Sequence, residues 1–562
     1  MSGYGSLASA IGSVFKAPKP AKNDIPQSKP IDKVQTKNSE GGYVYKVDDM
    51  NRLRRFLILG SEGGTYYIKE QELGIENATA IMRLIQEDKG QQVVNEIKHI
   101  SVEGRASKQN AILFALALCA RLDNKFSKKA AYEALSDICR IPTHLFTFID
   151  YSEKLAKNLS KGTGWGRAHR RAVAKWYNKH SKNPKKLAMH VTKYRNRSGW
   201  AHRDLFRLTH LKPEGDVAAV VKYVVKGLEA AKETYSTEMS EAVRDTLTFL
   251  EGVEDAKKAT NEEEIIALIQ HHGLVREHIP TKLLNSKGVW KALLKSMPMT
   301  AMIRNLAKMT DVGILESESE EEQIIISRLQ SEEALREARI HPFNVLLALH
   351  TYSKGEGEKG KLKWNPNQHI VNALDQAFYK CFKYVEPTNK RVCIGMDVSG
   401  SMDHYSVLGS SALSPRLASG ALMMTTLHTE PKCDVVAFSD KLVPLNVNLE
   451  WKLNETLQLL RGIPFGRTDC ALPMLWAREN KREYDTFIVY TDCETWIGGV
   501  HPAEALRQYR EASGIWDAKL IVCAMTSNGF TIADPEDPGM LDMAGFDSAG
   551  PEVMRSFMLG EI

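Results

Sequence analysis

The hydrophobic pattern of this chain changes near Lys390, and that change constrains the fold more than any other feature. Before Lys390, successive segments place apolar residues at the i, i+3, i+4 and i+7 positions of an amphipathic helix. After it, short β-branched apolar runs alternate with helical stretches, as in a parallel α/β sheet. Pro387 lies in the linker, residues 385–390. The sequence therefore predicts a multidomain protein, with a helical region over residues 43–389 and an α/β domain over residues 390–562.

The helical region is predicted to be an α-solenoid. Its helical segments follow one another with short connections marked by Gly, Pro or Asn, and no strand pattern is recognised among them. So many paired helices exceed a single bundle and favour repeats of the HEAT or armadillo kind. Among the predicted helices are residues 78–100, 166–180, 187–197 and 217–235.

The α/β domain is predicted to be doubly wound. The predicted strands are residues 392–397, 434–438, 486–492 and 519–525, and the helices between and after them are residues 417–428, 455–461, 470–480 and 502–511. Strands as apolar as these are covered by helices on both faces. The carboxyl ends of such strands meet at one edge of the sheet, where ligands bind near a topological switch point.

Residues 1–42 are predicted to form a flexible tail. This segment is rich in Ser, Gly, Ala, Pro and Lys and shows no apolar period. Pro18, Pro20, Pro26 and Pro30 oppose regular secondary structure there.

Positive charge is concentrated in one segment, although the net charge of the chain is only +6. Between Lys161 and Lys212 there are 15 Lys and Arg residues and one acid, Asp204. We call residues 161–212 the basic block. A solvated surface normally mixes charges of both signs, so this block favours a polyanionic partner such as nucleic acid.

The composition also bears on the cellular compartment. The chain has 8 Cys and no C-x-x-C pair, which favours a reduced, intracellular protein. No apolar run approaches the ~20 residues that span a bilayer, so no membrane segment is predicted.

Basic and aromatic residues are mixed within the basic block. Arg167, Arg170 and Arg171 recur at helical spacing, and Lys193, Arg197 and His210 follow along the chain. Cations neutralise phosphates, and aromatic rings can stack on unpaired bases. For Trp165, Trp176 and Trp200, however, burial in the core is the favoured interpretation.

A second set of residues suggests a metal site. Asp397, Ser399 and Ser401 form a D-x-S-x-S sequence where the first predicted strand ends, and Thr468 and Asp492 are expected at the same sheet edge. Hydroxyl and carboxylate oxygens suit a small hard divalent cation, and Mg²⁺ is preferred. Asp469 could compete with Thr468 as a ligand, and a D-x-S-x-S sequence alone is usually a turn.

The D-x-S-x-S sequence, with its later Thr and Asp, resembles the metal-ion-dependent adhesion site of von Willebrand factor A domains. The chain as a whole is similar to the SS-A/Ro ribonucleoprotein family, in which a TROVE module precedes such a domain. The likeness covers roughly residues 42–562. It is carried by GSEGGTYYIKE at 60–70, IPTHLFTF at 141–148, THLKP at 209–213 and TSNGFTIADP at 526–535.

This resemblance implies a closed ring of HEAT-like helix pairs, completed by the A domain. The hole of the ring is expected to admit single-stranded RNA ends, and its outer surface is expected to bind Y RNA and structured parts of misfolded noncoding RNA. The implied Y RNA contacts are Lys193, Arg197 and His210, with Arg167, Arg170 and Arg171 in the same region. The implied metal ligands are Asp397, Ser399, Ser401, Thr468 and Asp492.

The leading hypothesis is therefore a non-enzymatic RNA-binding protein that acts in RNA quality control. It would be a monomer within a ribonucleoprotein particle shared with other RNA-binding proteins, in the cytoplasm, and the sequence leaves open whether it is also nuclear. The alternative is a metal-dependent scaffold whose bound cation takes a carboxylate from an acidic protein partner. A metal-dependent nuclease is a third hypothesis, but it would usually need more carboxylates than two.

Overall fold

The computed structural model describes residues 10–159, 165–236, 239–357, 362–382, 385–410, 412–464 and 466–562. Within them, a helical region precedes a domain with a mostly parallel sheet, which confirms the predicted fold class. None of the described helices is both long enough and apolar enough to cross a bilayer.

The helical region begins after a short strand pair and consists of helices that pack on their neighbours in sequence. The two strands are β1 (Thr36–Lys37) and β2 (Tyr43–Lys46). The first helices are α1 (Asp49–Leu59), α2 (Glu70–Gln86), α3 (Gly90–Val102), α4 (Asn110–Arg121), α5 (Lys125–Ile138) and α6 (Pro142–Asn158). The basic block follows as α7 (Arg167–Asn178), α8 (Pro184–Lys193), a hairpin of β3 (Asn196–Arg197) and β4 (Trp200–Ala201), and α9 (His202–Thr209).

The remaining helices complete this region. They are α10 (Val217–Lys226), α11 (Leu228–Thr234), α12 (Glu241–Ala256), α13 (Glu262–His272), α14 (Lys287–Leu294), α15 (Met299–Asp311), α16 (Glu320–Gln330), α17 (Glu332–Glu337), α18 (Pro342–Lys354) and α19 (Gln368–Lys380). Side chains cap several of them. Asn124, for example, accepts hydrogen bonds from two free backbone N–H groups at the start of α5.

Three predicted helices are wrong in their bounds. Residues 78–100 contain two helices, because Asp88 adopts a positive φ of 58° between α2 and α3. Residues 217–235 are divided by Gly227, whose φ of 89° ends α10. The helix predicted over residues 187–197 ends at Lys193, and Arg197 lies in the β3–β4 hairpin. Apolar periodicity survives such turns, so it could not reveal them.

The described strands of the sheet domain are β5 (Val392–Asp397), β6 (Cys433–Phe438), β7 (Leu442–Leu445), β8 (Thr486–Thr491), β9 (Lys519–Ala524), β10 (Phe530–Thr531) and β11 (Met540–Ala544). Six of them form one sheet in the order β11-β9-β8-β5-β6-β7, and β10 pairs with β2 instead. All neighbours in the large sheet are parallel except β6 and β7. The chain runs outward from β5 in both directions, so the topological switch point lies between β5 and β8.

Helices surround this sheet, and β5 and β8 are buried along their whole length. Two helix pairs pack together, α20 (Pro415–Thr429) with α21 (Leu453–Arg461) and α22 (Leu472–Glu479) with α23 (Pro502–Ser513). The last helix, α24 (Gly550–Leu559), packs against β11.

Both ends of the helical region contact the sheet domain, so the chain closes on itself. At the first end, α1 packs on β11, and the buried Arg55 forms an ion pair with Asp542. At the other end, the backbone N–H of Leu453 donates to the carboxylate of Asp375 at 2.8 Å.

The prediction of a flexible tail over residues 1–42 is wrong for residues 10–42, which we call the N-terminal strap. Ile11 and Phe15 form antiparallel bridges to Leu445 and Leu442 of β7, and Gln27 is completely buried. The strap has little regular structure apart from β1, but the sheet domain satisfies several of its backbone donors and acceptors, which composition cannot show. Residues 1–9 lie outside the described residues.

Candidate metal centre and nucleic-acid interface

The D-x-S-x-S sequence forms a tight buried loop at the carboxyl end of β5. The Asp397 carboxylate accepts hydrogen bonds from the Ser399 backbone N–H at 2.9 Å and from the Thr491 hydroxyl at 2.6 Å. The hydroxyl oxygens of Ser399 and Ser401 lie 3.2 Å apart. All three predicted ligands in this loop are at most 4% exposed. The structure therefore gathers three oxygen-bearing side chains at the edge predicted from the sequence.

Asp492 follows β8 and contributes to the same cluster. One of its carboxylate oxygens accepts from the Glu494 backbone N–H at 3.1 Å, and Ser401 lies beside this carboxylate. Its Oδ2 atom is buried and has no hydrogen-bond partner among the described residues. A buried carboxylate oxygen without a partner is costly, so this atom is suited to an additional ligand.

The loop that carries Thr468 is held against the loop that carries Asp492. The Thr468 carbonyl accepts from the Trp496 backbone N–H at 3.1 Å, and the Thr495 hydroxyl accepts from the Cys470 backbone N–H at 3.0 Å. Thr468 is buried next to the loops that carry Asp397 and Asp492. The Gly400 backbone N–H also donates to the Gly466 carbonyl at 3.3 Å, which joins the D-x-S-x-S loop to the same segment.

Asp469, the competing candidate, is already engaged. Its Oδ1 atom accepts from the Ala471 backbone N–H at 3.1 Å and from the Gln27 side-chain amide at 2.8 Å. Burial raises the pKa of Asp469 to about 6. These bonds tie the carboxylate to the start of α22 and to the strap, and so they favour Thr468 over Asp469 as the ligand from this loop.

The electrostatics of the cluster fit a cation. Burial raises the pKa of Asp492 well above its usual value, and the nearby Asp397 and Glu494 carboxylates raise it further. Burial also raises the pKa of Asp397, and it raises that of Glu494 to about 7. Buried carboxylates repel one another unless positive charge is supplied, and oxygen donors of this type suit Mg²⁺. The residues present therefore fit the predicted ion.

The cluster differs from metal sites built of many strong ligands. Within the part of the chain that the structure describes, no group of three or more His, Cys, Asp or Glu side chains has the arrangement of a metal site. The predicted set contains only two carboxylates, and its other members are hydroxyls. An ion held there would rely on neutral oxygens and water for the rest of its coordination.

Residues that the sequence did not single out also reach this cluster. Tyr67 lies beside both Ser401 and Glu40, and burial together with Glu40 raises the pKa of Tyr67. The backbone N–H and hydroxyl of Ser39 donate to the Glu494 carboxylate at 2.8 and 3.0 Å. These residues are far away in sequence, and no local pattern near them pointed to the site.

The basic block places a line of cations on the outer face of α7. Arg167, Arg171 and Lys175 are exposed at intervals of four residues. The opposite face of the helix, with Val173 and Trp176, is completely buried. Arg170 lies at the boundary between these faces and is half-buried.

The other three predicted RNA contacts lie in different local environments. Arg197 is exposed on the β3–β4 hairpin, and His210 is exposed where it ends α9 in a left-handed conformation. Lys193 is less accessible. Its side chain is 14% exposed, and its Nζ atom lies 3.8 Å from Glu277 and 5.3 Å from the centre of the Tyr194 ring.

A buried histidine holds these segments together. The Tyr177 hydroxyl donates to Nδ1 of His202 at 2.8 Å, and Nε2 of His202 donates to the Tyr194 carbonyl at 2.8 Å. Burial lowers the pKa of His202 to about 4, so it is neutral at pH 7. One side chain thus links α7, the end of α8 and α9, the elements that carry the predicted contacts.

The aromatic residues of the basic block belong to the core, as the sequence analysis favoured. Trp165 and Trp176 are buried, and Trp200 is half-buried against Trp165. They form the apolar layer beneath the exposed cations. Lys161 of the basic block lies outside the described residues.

The exposed cations of the basic block have no acidic partner within 4 Å in the part of the chain that the structure describes. Among those residues, Lys193 is the only cation of residues 165–212 with a carboxylate within 4 Å. Asp204 instead accepts a hydrogen bond from the backbone N–H of Ala201. The exposed Lys and Arg residues are Arg167, Arg171, Lys175, Lys179, Lys182, Lys185, Lys186, Arg195, Arg197, Arg203, Arg207 and Lys212. This surface is suited to a polyanion.

Comparisons with known proteins agree with both parts of this architecture. Residues 36–351 match the TROVE domain family, and residues 391–558 match the Ro60 vWA domain family. The chain is 42% identical to the RNA-binding protein RO60 of Caenorhabditis elegans, over 94% of this chain and 90% of that protein. It is 37% identical to the RNA-binding protein RO60 of Deinococcus radiodurans, over 96% of this chain and 98% of that protein.

A solved structure shows the same fold. The crystal structure of the Deinococcus radiodurans RO (RSR) protein superposes with a TM-score of 0.67 and 36% sequence identity. The match covers 92% of this chain and 100% of that chain.

Proposed function

The chain belongs to the Ro60 family, and from this membership we propose that it is the RNA-binding protein of a small ribonucleoprotein particle. In this proposal it holds Y RNA and captures misfolded noncoding RNA for quality control. The observation that carries the proposal is the positive surface of residues 165–212, where the exposed Lys and Arg side chains have no acidic partner within 4 Å among the described residues. The named relatives, RNA-binding proteins of two distant organisms, support it.

The surface chemistry indicates how RNA would bind. Exposed cations neutralise phosphates and release counterions, which makes affinity strong and dependent on salt. Trp165 and Trp176 are buried and cannot stack on bases in this conformation. Recognition at this surface would therefore depend on the shape and backbone of folded RNA more than on base identity.

The experiment is to isolate the protein from its own cells at moderate salt and to sequence the RNA that accompanies it. The test variant is Arg171→Ala/Arg197→Ala/His210→Ala, which leaves the half-buried Lys193 in place. We expect the wild-type protein to enrich a few small stem-loop RNAs and the variant to lose them.

The matched control is Lys432→Ala/Lys441→Ala/Lys481→Ala, which removes three exposed cations from the sheet domain. It should retain the same RNAs as the wild-type protein. If both triple variants retain the RNAs equally, or if the wild-type protein carries no selected RNA, the proposal is wrong.

The proposed role requires no catalysis. Phosphate transfer with metal ions commonly uses a two-metal site rich in carboxylates, whereas only Asp397 and Asp492 are predicted carboxylate ligands here. Incubation of bound RNA with Mg²⁺ should leave it intact. Cleavage that disappears in Asp492→Ala would show that the protein is a nuclease instead.

A second function is favoured by the unpartnered Oδ2 atom of Asp492. Here the side chains of Asp397, Ser399, Ser401, Thr468 and Asp492 would hold Mg²⁺, and the ion would offer a coordination position to the carboxylate of an acidic protein partner. Asp397 and Asp492 would supply the negative charge, and the hydroxyls would supply neutral oxygens. Calorimetry should detect Mg²⁺ binding that Asp492→Ala abolishes while RNA binding persists.

A further inference from the structure

We propose that the N-terminal strap is an integral part of the metal centre, with Gln27 as the positioning residue that fixes the Thr468 loop against the Asp492 loop. This inference rests on the metal site proposed above and adds the residues that build it. It concerns a segment whose composition predicted only a flexible tail.

Gln27 uses nearly all of its hydrogen-bonding capacity on these two loops. Its side-chain amide donates to Asp469 Oδ1 and to the Val500 carbonyl, both at 2.8 Å, and its Oε1 atom accepts from the Thr495 hydroxyl at 2.6 Å. Its backbone N–H donates to the Gly498 carbonyl at 2.9 Å. The side chain of this completely buried glutamine is therefore satisfied by residues of the loops beside the metal cluster.

The partners of Gln27 are immediate neighbours of the predicted ligands. Asp469 follows Thr468 directly, and Thr495 lies three residues after Asp492. The Thr495 hydroxyl accepts from the Cys470 backbone N–H while it donates to Gln27. Gln27 thus fixes the orientation of the hydroxyl that joins the two loops.

Other strap residues hold the Asp492 loop from the same side. The Asn38 side-chain amide donates to the Thr495 carbonyl at 2.7 Å, and Ser39 binds the Glu494 carboxylate through two hydrogen bonds. A side chain at Gly42 would meet the Thr495 carbonyl at 2.0 Å, so the approach of the strap to this loop requires glycine.

The strap also reaches the D-x-S-x-S loop. Tyr67 lies beside both Glu40 of the strap and Ser401 of that loop. All three loops of the metal centre therefore contact the strap, directly or through Tyr67.

The consequence is that metal affinity should depend on strap residues that are not ligands. Partners that orient metal ligands typically change affinity by about 10–100-fold when they are removed. Gln27→Met keeps the length and volume of the side chain but removes its hydrogen bonds. We expect it to raise the Kd for Mg²⁺ at least about tenfold.

The control lies in the same strap. Gln35→Met alters a glutamine whose Nε2 atom lies 3.4 Å from Nδ1 of His501 and whose Oε1 atom accepts from the Ile31 backbone N–H. Neither contact involves a predicted metal ligand. It should leave the Kd unchanged. A purely structural role for Gln27 would lower the thermal stability in EDTA and leave the Kd for Mg²⁺ unaltered, so both quantities are measured for each variant.

A second pair of variants tests the same hydrogen bond in case Gln27→Met fails to fold. Thr495→Ser keeps the bridging hydroxyl and should keep the Mg²⁺ affinity, whereas Thr495→Val removes the hydroxyl and should weaken it. RNA binding by the basic block serves as the folding check for every variant.

The outcomes separate the two proposals. If the wild-type protein binds Mg²⁺ and both glutamine variants bind it within twofold of wild type, the strap inference is wrong and the metal site stands. Tighter binding by Gln27→Met would also overturn the inference, because the strap would then oppose metal binding. If the wild-type protein binds no Mg²⁺ at millimolar concentration, the metal proposal fails and the inference fails with it.

Discussion

The helical region and the sheet domain arrange charge in opposite ways. Around α7–α9, cations are exposed to solvent and the buried His202 is neutral. At the carboxyl edge of the sheet, Asp397, Asp492 and Glu494 are buried near one another. The first arrangement attracts a polyanion from solution, and the second needs a small cation inside the protein. The net charge of the whole chain, +6, therefore does not show that one region exposes positive charge while the other buries negative charge.

Acid should affect the two regions with opposite sign. Burial lowers the pKa of several histidines of the helical region, including His144, His180 and His278, each to about 4. Burial raises the pKa of Asp469 to about 6 and that of Glu494 to about 7. The histidines resist gaining a proton, whereas the carboxyl groups of the sheet domain resist losing one.

The largest expected effect concerns salt and RNA. If roughly six to ten phosphates contact the basic block, RNA affinity should fall about 10³–10⁵-fold between about 50 and 200 mM salt. Arg171→Ala/Arg197→Ala/His210→Ala should reduce the slope of log affinity against log salt, and Lys432→Ala/Lys441→Ala/Lys481→Ala should not. Filter binding or fluorescence anisotropy at several salt concentrations measures this slope. A slope near zero in the wild-type protein would break the comparison on the cationic side.

The next largest effect concerns the junction of the two regions. Arg55→Met should leave the carboxylate of Asp542 without its buried partner and lower the free energy of unfolding by about 3–5 kcal/mol. The control Arg555→Met breaks a more exposed pair with Glu561 and should cost less than about 1 kcal/mol. Urea unfolding followed by far-UV circular dichroism measures both. Equal effects of the two variants would show that the junction does not depend on this ion pair.

Metal should stabilise the sheet domain and leave the RNA surface unaffected. At a free Mg²⁺ concentration of roughly 100 times Kd, the free energy of unfolding should rise by about 2.7 kcal/mol. EDTA should reverse the gain, and Asp492→Ala should abolish it while RNA affinity stays within twofold. Thermal unfolding with and without Mg²⁺ checks the stability, and an equal response of wild type and Asp492→Ala would contradict the proposed ligand set.

The smallest expected effect is the change of stability with pH, which should differ in sign between the buried histidine His202 and the buried carboxyl group of Glu494. His202 has a folded pKa of about 4, below its ordinary value of 6.5, so its stabilising contribution is full above pH 6.5 and is lost as pH falls toward 4. At pH 5 the loss should be about 2 kcal/mol. Glu494 has a folded pKa of about 7, above its ordinary 4.5, so in EDTA its neutral form should favour the folded state increasingly as pH falls from 7 toward 4.5.

Unfolding at pH 7 and pH 5 in EDTA measures these changes, with the tryptophans of the basic block reporting on the helical region. His202→Gln cannot take up the proton and should reduce the pH dependence reported there by the contribution of this one histidine. A helical region that gains stability at pH 5 would contradict the role assigned to its buried histidines.

Much of the fold could be predicted from sequence patterns. The change of periodicity near Lys390 predicted a helical region followed by a sheet domain, because periods of 3.6 and 2 are local properties of helices and strands. Helix bounds were less predictable, since Asp88 and Gly227 interrupt helices through backbone conformation without interrupting the apolar pattern. The accessibility of Lys193 was equally hidden, because its acidic neighbour, Glu277, comes from a distant segment.

The sequence by itself determined which residue types meet at the strand ends and where positive charge accumulates. Asp397, Ser399 and Ser401 lie within five residues of one another, so a short motif could reveal them. Only the tertiary structure decided that the strap completes this site, because the Gln27–Asp469 hydrogen bond joins residues 442 positions apart. Local patterns report how a segment folds, whereas such a bond depends on how the strap packs across a finished sheet domain. The same limit applies to Tyr67, which the folded chain brings beside both Ser401 and Glu40.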